Sequence, residues 1–194
     1  MLSQIPKHSQ TILDLGCGVG KFSRLLAEKS DRVIALDLSP KSIEIAKQKS
    51  ARFNNINYRV ADISQWQFPT EYFDVITSIA TLHHLPLNEL LPKLKTALKP
   101  EGTLLILDLL EQQNIWDTLN DCIAVPLNWW FIKTRNKHIE FNHIAAEAMR
   151  EHLRTDKYLT YSQVKEIYTS FLKTPKVRRH LFWRYSVVWQ KPMA

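Results

Sequence analysis

Glycine is scarce in this chain: four in 194 residues, three of them at positions 16, 18 and 20. So concentrated a use marks one place where the backbone must adopt φ > 0 or admit a close neighbour. Cysteine is scarcer still. Cys17 and Cys122 form no CxxC or metal-type spacing, which argues against a disulfide scaffold and a cysteine metal site and suits reduced thiols. No metal is expected. There is no run of eighteen apolar residues, so no transmembrane helix is expected. The opening MLSQIPKHSQ has no apolar core of a signal peptide, so the expected location is cytoplasmic. Repeats, low-complexity tracts and evident linkers are also missing. The length and the 45% hydrophobic content therefore predict one domain, 1–194, with one full core.

Charge is present in excess of one sign. The net value is +7, but residues 1–109 carry 13 Lys and Arg against 11 Asp and Glu, while 110–194 carry 13 against 8. The excess thus belongs mostly to the second part. It fits an anionic acceptor, nucleic acid, a membrane surface or simply a solvated exterior.

The glycines stand between two periodic segments. An apolar run, Thr11 to Leu15, enters them, and Phe22, Leu25 and Leu26 follow at helical spacing. Strand, glycine turn and helix make a cradle in which helix-start N–H groups can point at a ligand. A second apolar run ends at Asp37, and Ser39-Pro40 reads as a helix cap and first turn. Alternation at Ile56, Tyr58 and Val60 predicts a third strand that closes at Ala61-Asp62. Phe73 to Ala80 predicts a buried parallel strand. Leu87, Leu90, Leu91, Leu94, Ala97 and Leu98 form a helical stripe with Pro92 in its path as a kink or true first turn. Lys99 to Gly102 reads as a turn before a fifth strand, Thr103 to Leu109. Such alternation predicts an α/β fold with a doubly wound parallel sheet and right-handed crossovers.

The pattern then changes. Residues 110–158 read as helical without a convincing strand. Thr160 to Gln163 fits a capping box before Val164, Ile167, Tyr168, Phe171 and Leu172. Residues 177–191 read as two adjacent strands, but their turn near Trp183-Arg184 lacks Gly, Asn or Asp.

In an open α/β sheet the ligand lies beyond the carboxyl ends of the strands. Those ends present Gly16 to Gly20, Asp37, Asp62 and the segment from Ser78 to Leu85. A carboxylate at Asp37 can take both hydroxyls of a ribose. Asp62 can take an exocyclic amine such as adenine's, and Leu38 and Ile63 can sandwich the base. A dinucleotide site would use G-x-G-x-x-G; here the spacing is G-x-G-x-G with Lys21 beyond. Asp14, two residues before the first glycine, would repel a pyrophosphate but suit an ammonium group. That chemistry favours S-adenosylmethionine over a dinucleotide.

ILDLGCGVG resembles motif I of the class I S-adenosylmethionine-dependent methyltransferases. ALDLS, ADIS, FDVITSIATLHHL and LKPEGTLLILD resemble that family's successive motifs, in order, over residues 11–109. The pattern is most similar to the small-molecule, quinone-biosynthesis-like (type 11) branch. The resemblance implies a Rossmann-like, seven-stranded sheet, mostly parallel with an antiparallel last strand. It implies that Asp14, Gly16, Cys17 and Gly18 line the methionine end of the cofactor. Asp37 would hold the ribose, Leu38 and Ile63 would flank adenine, and Asp62 would bind its amine. Gly20, Ser78 and Ile79 complete the expected cofactor-binding set. Glu101 stands where the family commonly has glycine.

Many relatives cover the site with helices ahead of the first strand. About ten residues precede it here, so the helical insertion 110–158 is the expected substrate cap. Within it Trp129, Trp130, Phe131 and Ile132 precede Lys133 and Arg135. This cluster fits a lid, core or dimer contact, or an interfacial anchor. His83 and His84 follow the fourth strand, where an acceptor would approach, and are the candidate base or orienting groups. Segment 78–81 is Ser-Ile-Ala-Thr, unlike the Asn/Asp-Pro-Pro-aromatic motif of amino-nitrogen base methyltransferases. Neither cysteine lies there to attack cytosine. Nucleic acid is thereby disfavoured, and the expected activity is methyl transfer to a small, apolar or aromatic acceptor. An RNA or protein methyltransferase and a non-catalytic nucleotide-binding module are the alternatives.

Overall fold

The structure, a computed structural model, describes residues 1–6, 9–111, 158–181 and 183–193. The elements are β1 (Ser9–Leu15), α1 (Lys21–Ala27), β2 (Ser30–Asp37), α2 (Pro40–Lys49), β3 (Ile56–Val60), β4 (Phe73–Ile79), α3 (Leu87–Ala97), β5 (Leu98–Leu109), α4 (Tyr161–Phe171), β6 (Lys176–His180) and β7 (Arg184–Gln190). Short 3₁₀ turns occupy Leu2–Gln4 and Leu82–His84. The cap expected at 110–158, with its Trp129–Arg135 cluster, lies almost wholly outside the described residues.

The strands form one sheet in the order β3-β2-β1-β4-β5-β7-β6. β1 to β5 pair in parallel, while β7 runs antiparallel to both β5 and β6. This is the doubly wound, Rossmann-like sheet with one antiparallel strand. Its central strands are buried because they are apolar on both faces: Ile12, Leu13 and Leu15 of β1 and Val75 and Ile76 of β4 are inaccessible to solvent. One face holds Leu13, Leu36, Ile76, Leu91, Leu94, Tyr168 and Trp189. The other holds Ile12, Val33, Ala35, Val75 and Leu105 with Leu26 of α1 and Ile43 and Ala46 of α2. Sequence order reverses between β1 and β4, so a crevice opens there at the carboxyl ends.

Three local readings change. The expected turn at 99–102 is a bulge inside β5: Phe73 pairs Leu98, but Val75 pairs Thr103. Glu101 accepts a left-handed φ of 62° there, and its N–H donates to Lys191 O at 3.0 Å. α3 runs through Pro92, which lies on its exposed side, so solvent can take the carbonyl that loses its partner. Trp183 supplies the left-handed residue of the β6–β7 turn at φ 50°, a place where glycine is usual. The capping box at Thr160 and Gln163 forms as expected.

Candidate functional site

The loop after β1 lies across the crevice, and its glycines are required there. Gly16, Gly18 and Gly20 have φ of 69°, 51° and 74°. A Cβ on Gly16 would fall on the Thr81 side chain, and one on Gly20 would fall on the Tyr58 hydroxyl. A Cβ on Gly18 would meet nothing within 4 Å: this glycine faces open space. Gly18→Ala should therefore cost about 1–2 kcal/mol from left-handed strain alone. Gly16→Ala adds displacement of Thr81, a further ~1–3 kcal/mol. Denaturant midpoints of the two variants test that order, and equal midpoints would refute the packing account.

The loop amides are already occupied. Gly16 and Cys17 N–H donate to Leu36 O at 2.8 and 2.9 Å, and Gly20 N–H donates to Cys17 O at 2.9 Å. Gly18 N–H donates to Asp37 Oδ2 at 2.7 Å, while Ser39 N–H donates to Asp37 Oδ1 at 2.9 Å. Four amides of the expected anion cradle are thus spent inside the protein. A pyrophosphate needs such donors free; an uncharged nucleoside does not. Each Asp37 oxygen retains room for one further donor, since an ionised carboxylate has about four acceptor sites.

Beneath the loop lies a cavity of about 340 Å³ lined by Asp14, Gly16, Cys17, Lys21, Phe22, Leu25 and Ile79. Its walls are mostly apolar, and Asp14 is its buried acid, 2% exposed. Ser23 Oγ and Thr77 Oγ1 donate to Asp14 at 2.6 and 3.1 Å. Burial still dominates and raises its pKa to about 6. A buried carboxylate beside a cavity is stabilised by any cation entering it. Burial, with the charges of Asp14 and Asp37, also pushes the Cys17 thiol up and keeps it protonated.

The remaining expected residues are distributed unevenly. Leu38 is 71% exposed, whereas Ile63 is 6% exposed and packs in the core. Asp62 accepts the Ser64 N–H and hydroxyl at 2.9 and 2.7 Å, which hold its carboxyl below the usual range. Ser78 is buried and donates to Leu15 O at 3.2 Å, so its hydroxyl ties β4 to β1.

His83 has a partner that the sequence reading did not single out. Its Nδ1 lies 2.5 Å from Asp108 Oδ1, and its backbone N–H donates to Asp108 Oδ2 at 2.9 Å. Both side chains are buried, 5% and 1% exposed. The His83 ring stands 3.9 Å from that of His84 and 5.0 Å from that of Tyr158, between centroids. Tyr185 and Tyr168 sit nearby with hydroxyls 3.4 Å apart. Burial is the main cause that raises both phenol pKa values, and the Asp108 charge adds to it. The signal for Asp108 was an acid in the apolar run Leu104–Leu110, since a buried carboxylate demands partners. Among the described residues no group of three or more His, Cys, Asp or Glu could hold a metal. No described helix is long and apolar enough to cross a membrane.

Comparison with known proteins bears on this geometry. Residues 13–106 match the family model described as a methyltransferase domain. The chain is 32% identical over 122 residues to 2-methyl-6-phytyl-1,4-hydroquinone methyltransferase of Synechocystis, covering 62% of this chain and 36% of that protein. It is 36% identical over 103 residues to the ubiquinone biosynthesis O-methyltransferase of Coxiella burnetii, covering 52% and 44%. The matches thus span less than half the length of these relatives. The solved structure of a SAM-dependent methyltransferase from Aquifex aeolicus aligns with 97% of this chain and 85% of its own, with a TM-score of 0.62 and 19% identity. That likeness shows the fold.

Proposed function

We propose that this chain, whose residues 13–106 match the family model of a methyltransferase domain, transfers a methyl group from S-adenosylmethionine to a small acceptor. One observation carries the reading: a loop whose amides are spent internally overlies a cavity with a buried acid at Asp14. Such a site accommodates a nucleoside with a cationic tail and refuses a pyrophosphate. The open space at Gly18 leaves the backbone free to approach the ligand. Asp14 meets the ammonium, Asp37 the ribose hydroxyls, and Leu38 and Ile63 the base, with Asp62 at its amine. When bound, the cofactor supplies a methyl group on a sulfonium, which makes in-line transfer a matter of positioning.

The small-molecule acceptor is supported by the names of both relatives, one a hydroquinone methyltransferase and the other a methyltransferase of ubiquinone biosynthesis. The segment 110–158 acts as the cap. In support, its ends meet at the carboxyl edge, where Glu111 N–H donates to Leu159 O at 3.0 Å and Tyr158 faces His83. His83, held by Asp108, is the base or acceptor-orienting group, with His84 beside it.

Calorimetry with S-adenosylhomocysteine across pH tests the cofactor site. A cation stabilises ionised Asp14, so binding should be strongest above pH ~6 and weaken as Asp14 takes its proton below that value. Asp14→Asn should bind more weakly and lose this dependence. Tighter binding of NAD would overturn the cofactor assignment. Transfer from tritiated cofactor into a size-fractionated extract then tests the acceptor: label among macromolecules, or none, would reject a small-molecule substrate.

A further inference from the structure

After Glu166 the chain contains six Lys and Arg and no Asp or Glu. The β6–β7 hairpin gathers four of these cations, Lys176, Arg178, Arg179 and Arg184. Alternation and register put Lys176, Arg178 and His180 of β6 on one face, with Arg184 of β7 directly opposite His180. Lys176, Arg178, His180 and Arg184 are all exposed. By contrast, cations at the amino edge are neutralised: Lys99 pairs with Asp74 at 2.9 Å and Lys191 with Glu71 at 3.0 Å. Lys176, Arg178 and Arg184 have no acidic partner among the described residues. At the tip Leu181 is 61% exposed, with Trp183 half-buried beside it.

The tip is also fixed in place. Leu109 pairs with Arg184, and Leu110 N–H donates to Trp183 O at 2.7 Å. Since Leu109 ends β5, the tip stands at the same carboxyl edge as the candidate site and the paired ends of segment 110–158. A charged edge strand blocks unwanted strand pairing, which accounts for the cations of β6. It does not account for an exposed leucine between His180 and Arg184.

We infer that the β6–β7 hairpin docks the protein on an anionic lipid surface, with Leu181 entering the interface and Lys176, Arg178 and Arg184 engaging headgroups. This seats the carboxyl edge against the bilayer, so the site faces an apolar acceptor held there. A nucleic-acid backbone would satisfy the cations but offers nothing to Leu181.

Co-sedimentation of the full chain with phosphatidylcholine vesicles, with and without phosphatidylglycerol, tests this. Binding to the anionic vesicles should be at least roughly tenfold tighter and should be lost near 0.5 M salt. The Arg178→Gln/Arg184→Gln pair should weaken it roughly 25-fold at about fivefold per cation. Leu181→Ser should weaken it at least roughly fivefold through lost apolar burial. Equal binding to neutral vesicles, salt-insensitive binding or indifference to Leu181→Ser would each overturn the inference. So would tighter retention on RNA than on anionic vesicles at matched salt. The salt series on unaltered protein needs no variant to fold, and vesicle binding needs neither cofactor nor acceptor. The result therefore stands apart from that for methyl transfer.

Discussion

Asp37→Ala is expected to weaken S-adenosylhomocysteine binding by roughly 10- to 150-fold, the equivalent of about 1.5–3 kcal/mol for lost charge-assisted hydrogen bonds. Two losses are combined in that figure. The carboxylate no longer accepts ribose hydroxyls, and Gly18 N–H loses the acceptor that fixes the loop at 2.7 Å. A ligand lacking the 2′-hydroxyl separates them. Unaltered protein should discriminate against this analogue, while Asp37→Ala should bind both ligands almost equally. The coupling in that cycle isolates the hydroxyl contact from loop disorder. Full discrimination in the variant would show that Asp37 serves only the loop.

The parts of this site visible in the sequence are those that leave a local signal. Three alternating glycines mark left-handed backbone, and the structure has positive φ at each. Apolar runs ending at Asp37 and near Asp62 mark strands, because parallel strands are buried on both faces. What escaped notice depends on the third dimension. The need for Gly16 arises from Thr81, sixty-five residues away, and that for Gly20 from Tyr58. Nor does spacing reveal that the loop N–H groups turn inward to Leu36 and Asp37 rather than toward a ligand.

Composition misleads where one residue can satisfy the backbone in more than one way. Lys99-Pro100-Glu101-Gly102 has the composition of a turn, yet pairing with β4 on one side and bonds to Lys191 on the other hold it within β5. Pro92 looked like an interruption because proline removes a donor. It is tolerated since α3 presents it to solvent while Leu91 and Leu94 remain buried. Ile63, placed beside a planar base by its position after Asp62, is 6% exposed and packs in the core, so any contact with that base uses the small part left open.

His83→Ala is expected to lower kcat at least ~100-fold with the true acceptor, the scale of general acid–base catalysis. The argument begins with Asp108. Its two oxygens take the His83 backbone N–H and ring Nδ1, so one carboxylate sets both the position of the turn and the ring. With Nδ1–H donating to Asp108, the other ring nitrogen is the basic one. A base removes the acceptor's proton, so an acceptor that is already ionised should lose far less rate in His83→Ala than one that must be deprotonated. Asp108→Ala should reduce kcat by releasing the ring, while S-adenosylhomocysteine affinity stays within about twofold because Asp108 lies outside the cavity lining. His84→Ala serves as the contrast, since that side chain is exposed and is expected to change kcat far less. If transfer needs positioning alone, His83→Ala will keep its kcat with both acceptors and lose only thermal stability. That result would leave the His83–Asp108 pair as a clasp between the β4 turn and β5.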